Sequence, residues 1–282
     1  MHPGTRLGAV RLTVSDLQRS RAFYERAVGL LATELDDGTL ALHADSGRAL
    51  IELRGDRSAP ALDRRAPGLY HLAILVPDRR ELAFALARLA EARWPLDGAS
   101  DHLVSEALYL TDPDGNGIEI HRDRPREQWP RANGRLQMAT LALDLDGLLA
   151  ELANAAAPPP LLPRGTRIGH VHLQVSGLDD AESFYCGVLG FSVTVRGYPG
   201  ALFVSAGGYH HHIGLNTWHS RGAGPAIPGA IGLRSFELEL PDQVELDVVR
   251  QRAHSAGIEL EPTGGGILLR DPFANGMMLR AR

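Results

Sequence analysis

The chain repeats its own sequence, and this duplication restricts the fold more than any other feature. The segment that begins at Gly8, GAVRLTVSDLQRSRAFYERAVGL, resembles the segment that begins at Gly169, GHVHLQVSGLDDAESFYCGVLGF. Later in each half, DPDGNGIEI corresponds to DPFANGMML. Similarity at a fixed offset indicates that one supersecondary unit is used more than once. The duplicated halves lie near residues 7–125 and 166–282.

Each half divides again into two units with the same order of elements. A short alternating apolar run, such as VRLTV or HVHLQV, has the period of a half-buried strand. A helical pattern follows, for example DLQRSRAFYERAVGL, with Asp near its start and Gly at its end. Short strands such as ALYLTD and GIEIHR complete the unit, and DPDGNG between them is a turn motif. The patterns predict an α+β fold of four βαβββ modules, numbered 1 to 4, near residues 7–55, 66–122, 166–220 and 229–282.

A segment of different composition joins the halves. Residues 126–165 are predicted to be a linker between a first domain, 1–125, and a second, 166–282. The linker has a helical pattern around Leu145–Ala156 and then the proline-rich stretch APPPLLPRG.

Composition narrows the class of protein. The 282 residues favour roughly two domains, and 44% hydrophobic residues are enough for a sizeable core. A net charge of −5 argues against a nucleic-acid binder. No apolar run reaches the length of a membrane span, so we expect a cytoplasmic protein. The single cysteine, Cys186, argues against disulfides and cysteine-based zinc sites, whereas twelve histidines favour a site of nitrogen and oxygen ligands.

The modules and their motifs resemble a known family. Four βαβββ modules with DLxxSxxFYxxxxG-like openings resemble the vicinal oxygen chelate superfamily of glyoxalases, bleomycin resistance proteins and extradiol dioxygenases. VSEALYLTDPDGNGIEIHRDRP, GHVHLQV and GYHHHIGLNTW resemble the catechol 2,3-dioxygenase-like, ring-cleaving branch. The resemblance covers nearly the whole chain. It implies two cupped mixed-sheet barrels, each built from two modules, with metal ligands on the first and last strands of the paired modules.

The ligand positions implied by this resemblance differ sharply between module pairs. Modules 1 and 4 would contribute Ala9, Glu52, Ser235 and Met278, which cannot hold a divalent metal. Modules 2 and 3 would contribute His71, Glu119, His170 and Gly214. Two histidines, one carboxylate and open positions form the facial triad of non-haem Fe(II) enzymes.

The alternative, sequential pairing gives poorer ligand sets. Modules 1 and 2 would supply Glu52, His71 and Glu119, without a second histidine, and modules 3 and 4 would supply His170 alone. We therefore predict that module 2 pairs with module 3, although the better-known extradiol enzymes carry their metal in the last two modules. The expected metal is Fe(II), with Mn(II) or another divalent metal as the alternative, and Glu52 is expected to be a partnered acid.

The resemblance also implies three catalytic side chains. His211, in GYHHHIGL, would act as acid and base, since a histidine can both take and return a proton near neutral pH. Tyr109 and His102 would hold the substrate oxygens. Strand alternation would send His210 and His212 to the face opposite His211. His172 would share a face with His170, and the remaining histidines are expected to be surface or structural residues: His2, His43, His121, His219 and His254.

Together these features predict an extradiol dioxygenase that inserts O2 into a catechol-type aromatic diol. The alternatives are a glyoxalase-type metal-dependent lyase or isomerase and a non-catalytic small-molecule-binding protein, because the fold alone does not choose between them. Glyoxalase-like sites have four protein ligands, and Gly214 argues against a fourth. The expected partners are a small aromatic diol and O2, with no nucleic acid and no membrane. A homo-oligomer is compatible with the sequence, although one chain can complete its own barrels.

Overall fold

The computed structural model describes residues 1–45, 47–153 and 157–282 and has the predicted α+β architecture. Modules 1 and 2 contain β1 (Arg6–Val14), α1 (Leu17–Phe23), β2 (Leu31–Glu34), β3 (Leu40–His43), β4 (Ile51–Gly55), β5 (Gly68–Leu75), α2 (Arg79–Glu91), β6 (Gly98–Asp101), β7 (Ser105–Thr111) and β8 (Gly117–Asp123). The joining segment contains β9 (Arg131–Ala132), β10 (Arg135–Leu136), β11 (Leu141–Ala142) and α3 (Leu145–Ala150). Modules 3 and 4 contain β12 (Arg167–Gln174), α4 (Leu178–Glu182), β13 (Ser192–Arg196), β14 (Ala201–Ser205), β15 (Ile213–Asn216), β16 (Gly232–Leu240), α5 (Gln243–Ser255), β17 (Glu261–Thr263), β18 (Gly266–Arg270) and β19 (Gly276–Ala281).

The strands form two large curled sheets, and each sheet combines modules from both halves. The outer-module sheet, from modules 1 and 4, has the order β17-β18-β19-β16-β1-β4-β3-β2. The middle-module sheet, from modules 2 and 3, has the order β11-β6-β7-β8-β5-β12-β15-β14-β13. In each sheet the two first strands are antiparallel neighbours, β1 with β16 and β5 with β12. The modules therefore pair as the ligand positions predict.

One face of each sheet packs into the hydrophobic core. In the middle-module sheet, Leu72 and Ile74 of β5 and Ile118 and Ile120 of β8 are fully buried in this core. Because successive side chains of a strand point to opposite faces, the residues between them face the other way, into the cup of the sheet. Alternate side chains of each strand thus pack in the core, and the side chains between them line the cup.

The repeated FY and DP motifs explain how the two modules of each half are joined. Tyr24, which lies in the π-helical turn that follows α1, hydrogen-bonds Asp112 of module 2 at 3.2 Å. Tyr185 makes the same contact with Asp271 of module 4 at 3.0 Å. The Asp112 carboxylate also accepts hydrogen bonds from backbone N–H groups of its own turn, including that of Asn116. The turn prediction for DPDGNG is confirmed, and the motif has a structural role.

The joining segment contributes to the middle-module sheet, since β11 pairs with β6. Its helix is shorter than the predicted Leu145–Ala156: α3 ends at Ala150 and is followed by a turn through Ala153, while residues 154–156 lie outside the described residues. Only Leu148 of this helix is buried, so little tertiary packing supports a longer one. Among the helices of the described ranges, none has the length and hydropathy needed to cross a bilayer.

Candidate metal centre and its cavity

Three side chains converge at one point of the middle-module cup. His71 lies on β5, Glu119 on the parallel neighbour β8, and His170 on the antiparallel neighbour β12. The Nε2 atoms of the two histidines are 3.3 Å apart, and each lies 3.0 or 3.1 Å from Oε2 of Glu119. All three residues are buried. Because β5 is central between the two other strands, residues 48 to 99 positions apart in sequence become neighbours.

These atoms fit the requirements of a divalent metal. Ligands about 2.1 Å from an ion and adjacent to each other in an octahedral arrangement would be about 3 Å apart. The separations of 3.0–3.3 Å agree with this value. Three ligands on one side leave the positions that face the cavity free. His71, Glu119 and His170 thus form a candidate divalent-metal site.

The protonation states favour metal binding. Burial lowers the pKa of His170 to about 3, although Glu119 opposes this effect. Burial alone would raise the pKa of Glu119, but His170 and His71 hold that pKa well below its usual range. An ionised carboxylate and neutral imidazoles are the forms that coordinate a divalent cation.

The candidate metal centre opens into a cavity of about 780 Å³. This volume lies within the range of ligand pockets, roughly 300–1,000 Å³. All three predicted ligands and all three predicted catalytic residues line it. Much of the remaining wall is apolar or aromatic, from Leu62, Leu69, Tyr70, Leu110, Met138, Phe203 and Trp218. The arrangement suits a flat apolar ligand with a few polar atoms at the metal end.

His102 and Tyr109 form one polar pair in this cavity. Nδ1 of His102 lies 2.8 Å from the carbonyl oxygen of Ala139, which can only accept, so this nitrogen carries a proton. Nε2 of His102 lies 2.6 Å from the Tyr109 hydroxyl and accepts its hydrogen bond when the imidazole is uncharged. Burial, followed by the charge of Glu119, raises the pKa of Tyr109 well above its usual value. Tyr109 therefore stays a neutral hydrogen-bonding group beside the candidate metal centre.

His211 lies on the other side of the centre, with its ring centroid 4.1 Å from that of His170. The alternation predicted for its neighbours is wrong. Residues 210–212 precede β15 and are not in strand conformation, so Nδ1 of His210 lies 2.7 Å from Nδ1 of His211. Only His212 turns away, with Nδ1 3.1 Å from the Ser205 hydroxyl. The prediction failed because a strand period was applied to an irregular segment.

Sequence reasoning overlooked a polar cluster next to the centre. His121 and Asp123 follow Glu119 at alternate positions of β8 and face the same cup. His121 is fully buried rather than at the surface. Asp123 lies 2.9 Å from Nε2 of His210. The alternation of side chains along the strand EIHRD could have predicted that His121 and Asp123 face the same side as Glu119. His219 is exposed, as predicted, and it also lines the mouth of the cavity.

Gly214 leaves space for a ring rather than an open metal position. A Cβ atom at Gly214 would lie 2.9–3.1 Å from the ring atoms of His172. His172 does share the cup with His170, as predicted, and its ring packs against Tyr70 and Trp218. Gly214 therefore allows a second, non-ligating histidine to form part of the cavity wall.

Comparison with known proteins agrees with this architecture. The family model described as glyoxalase/bleomycin resistance protein/dioxygenase superfamily matches residues 6–120 and 167–276. A Bacillus subtilis (strain 168) protein named catechol-2,3-dioxygenase is 48% identical over 278 residues, which cover 97% of this chain and 96% of that protein.

Solved structures show the same fold at low identity. A candidate dioxygenase from Bacillus subtilis strain 168 superposes with a TM-score of 0.69 at 15% identity, covering 98% of this chain and 84% of that one. Glyoxalase I from Zea mays superposes with a TM-score of 0.56 at 14% identity, covering 98% and 92%. The family match, the near full-length relative and the paired curled sheets together lead to one conclusion: this chain belongs to the glyoxalase/bleomycin resistance protein/dioxygenase superfamily.

Proposed function

We propose that this chain is an extradiol ring-cleaving dioxygenase that inserts O2 into a catechol-type aromatic diol at an Fe(II) ion held by His71, Glu119 and His170. The observation that carries the proposal is the convergence of these three ligand atoms, 3.0–3.3 Å apart, at the wall of a largely apolar cavity. The relative named catechol-2,3-dioxygenase, at 48% identity, supports the same reaction.

When bound, the iron would supply the redox chemistry that couples oxidation of the diol to reduction of O2. The protein would supply a dry pocket and fixed protonation states. Tyr70, Phe203 and Trp218 offer apolar surface for an aromatic ring, and their burial of the ring would exclude water. The product would be a ring-opened semialdehyde that contains both atoms of O2.

His211 would act as the acid and base. Burial, followed by the charges of His170 and His210, holds the pKa of His211 well below its usual range, so the resting ring is neutral. A neutral imidazole can take a proton from a diol hydroxyl and return it later to an oxygen of the product. On the opposite side, the Tyr109–His102 pair would hold a substrate oxygen by hydrogen bonding.

A direct test is oxygen uptake. Protein purified without oxygen and loaded with one equivalent of Fe(II) should consume O2 with a catechol, in equal amounts, and form a product with the visible absorbance of a semialdehyde. No uptake with any member of a panel of substituted catechols, despite bound iron, would refute the proposal. The same protein loaded with Zn(II) and given a hemithioacetal would reveal the glyoxalase-type alternative.

The internal repeat offers a matched control for this assay. Met278 occupies in the outer-module sheet the position that Glu119 occupies in the middle-module sheet. Met278→Ala should keep one iron per chain and full oxygen uptake. A loss of iron in that variant would mean that the ligand set is misassigned.

A further inference from the structure

The hydrogen bonds around His211 continue away from the cavity to the partly exposed carboxylate of Asp123. Nδ1 of His211 lies 2.7 Å from Nδ1 of His210, and Nε2 of His210 lies 2.9 Å from Oδ1 of Asp123. His210 is fully buried and His211 nearly so. The three side chains come from β8 and from the segment before β15, so only the folded sheet joins them.

The carboxylate fixes the direction of the first hydrogen bond, and uncharged imidazoles then fix the direction of the second. The Asp123 carboxylate can only accept, so Nε2 of His210 must carry a proton. When both rings are uncharged, Nδ1 of His210 carries no proton, so it accepts a hydrogen bond from Nδ1–H of His211. The remaining nitrogen of His211, Nε2, is left without a proton and is the one available to the cavity that His211 lines.

We propose that Asp123 and His210 are positioning residues that hold His211 in the tautomer with a free Nε2, ready to accept a proton from the substrate. This inference rests on the proposed function, in which His211 is the base. The reason is general: an imidazole with the wrong nitrogen protonated cannot act as a base toward a group placed at that nitrogen. His210 thus acts through His211 and contacts no reacting atom.

The cluster of His121, Asp123 and His210 also has the residue types of a metal site. The 2.9 Å contact between Nε2 of His210 and Asp123 is a normal hydrogen bond. Nδ1 of His210 is engaged with His211. Both nitrogens of His210 therefore have partners without an ion. Binding of a second metal per chain is kept as an outcome of the test.

A double-mutant cycle distinguishes a relay from simple packing. Asp123→Ala and His210→Asn should each lower kcat about 10- to 100-fold, with KM changed less than about threefold and one iron retained. In the His210→Asn variant, the further change Asp123→Ala should lower kcat by less than about twofold, because Asp123 no longer has a partner through which to act. The proposal would be overturned if the two losses in kcat multiplied in the double variant. It would also be overturned if the parent bound two equivalents of iron and Asp123→Ala bound one. If Asp123→Ala does not fold, Asp123→Asn gives the same cycle.

A second readout is independent of activity. In the metal-free protein, 15N NMR of the histidine rings, with His211 identified by His211→Gln, should show His211 protonated at Nδ1. Asp123→Ala should shift His211 toward protonation at Nε2. A parent protein with His211 protonated at Nε2 would refute the relay whatever the enzymatic activity, whereas an inactive parent with the Nδ1 form would count against the proposed function alone. Tyr185→Phe, which removes another buried hydrogen bond to a carboxylate, should leave both readouts unchanged.

Discussion

The two curled sheets have the same strand order apart from the added β11, but the side chains in their cups differ. The register makes the comparison residue by residue: in the middle-module sheet His71 pairs with His172, and in the outer-module sheet Ser235 pairs with Arg11. His172 is the parallel partner of Gly214, and Arg11 is the parallel partner of Glu52. The middle-module cup has histidines and a glycine at these positions, and the outer-module cup has the Arg11–Glu52 ion pair.

The ion pairs occupy the outer-module cup. Nε of Arg11 lies 2.8 Å from Glu52, as expected for a partnered acid. Glu237 is almost fully buried, and it lies 3.0 Å from Arg280 and accepts a hydrogen bond from the backbone N–H of Ala9. Each carboxylate there has a guanidinium partner, which compensates the cost of burial. The same backbone therefore holds either a candidate metal site or buried ion pairs, and a few cup-facing side chains decide which.

The largest effect should follow from breaking the middle-module site. Glu119→Ala removes the only carboxylate of the candidate metal centre, so it should abolish iron binding and lower oxygen uptake more than about 10³-fold. Metal analysis after gel filtration checks the first result. Iron retained at one equivalent would show that the ligands lie elsewhere. Met278→Ala at the equivalent outer-module position is the control.

A smaller effect is expected from closing the space beside His172. Gly214→Ala places a Cβ atom 2.9–3.1 Å from atoms of the His172 ring, so the ring, which lines the cavity, must shift. We expect KM for a catechol to rise about tenfold with iron content unchanged. Gly187→Ala, where a Cβ would meet open space, is the matched control. An unchanged KM would mean that His172 does not shape the binding site.

Removing one partner of the outer ion pair should affect stability and leave the chemistry intact. Glu52→Ala leaves Arg11, whose side chain is 16% exposed, without its carboxylate. The free energy of unfolding should fall by about 1–2 kcal/mol. Iron content and oxygen uptake should not change. Urea denaturation measures the free energy of unfolding of Glu52→Ala and of the double variant Arg11→Met/Glu52→Leu. The apolar pair in the double variant should recover most of the lost stability. Loss of iron in Glu52→Ala would show that the outer-module sheet takes part in metal binding.

The smallest effects should be equal in the two halves. Tyr24→Phe and Tyr185→Phe each remove one buried hydrogen bond, to Asp112 and Asp271 respectively. Each should lower the free energy of unfolding by about 1 kcal/mol. Thermal unfolding of both variants measures the two losses of stability. A loss of oxygen uptake in only one of them would show that the matching contacts do not have matching roles.

Much of the fold was predictable because repetition and strand period are local signals. The modules follow from the pattern of residues along the chain, and the family resemblance carried by their motifs implied the positions of His71 and Glu119 and a partnered Glu52. The wrong predictions concern a segment with irregular backbone and a helix whose length depends on tertiary packing. His210 and His211 lie side by side because their segment is not a strand, and α3 is short because little packs against it.

The sequence by itself determined the modules, and the resemblance carried by its motifs indicated the candidate ligands and their module pair, because both depend on residue type at repeated positions. Only the tertiary structure decided that the candidate ligand atoms meet 3.0–3.3 Å apart, that the Tyr109 hydroxyl lies 2.6 Å from His102, and that hydrogen bonds link Asp123 to His211 through His210. Hydrogen-bond direction and ligand separation depend on distances of a few ångströms between strands that are remote in sequence. Such distances exist only after β5, β8, β12 and β15 have assembled into one sheet.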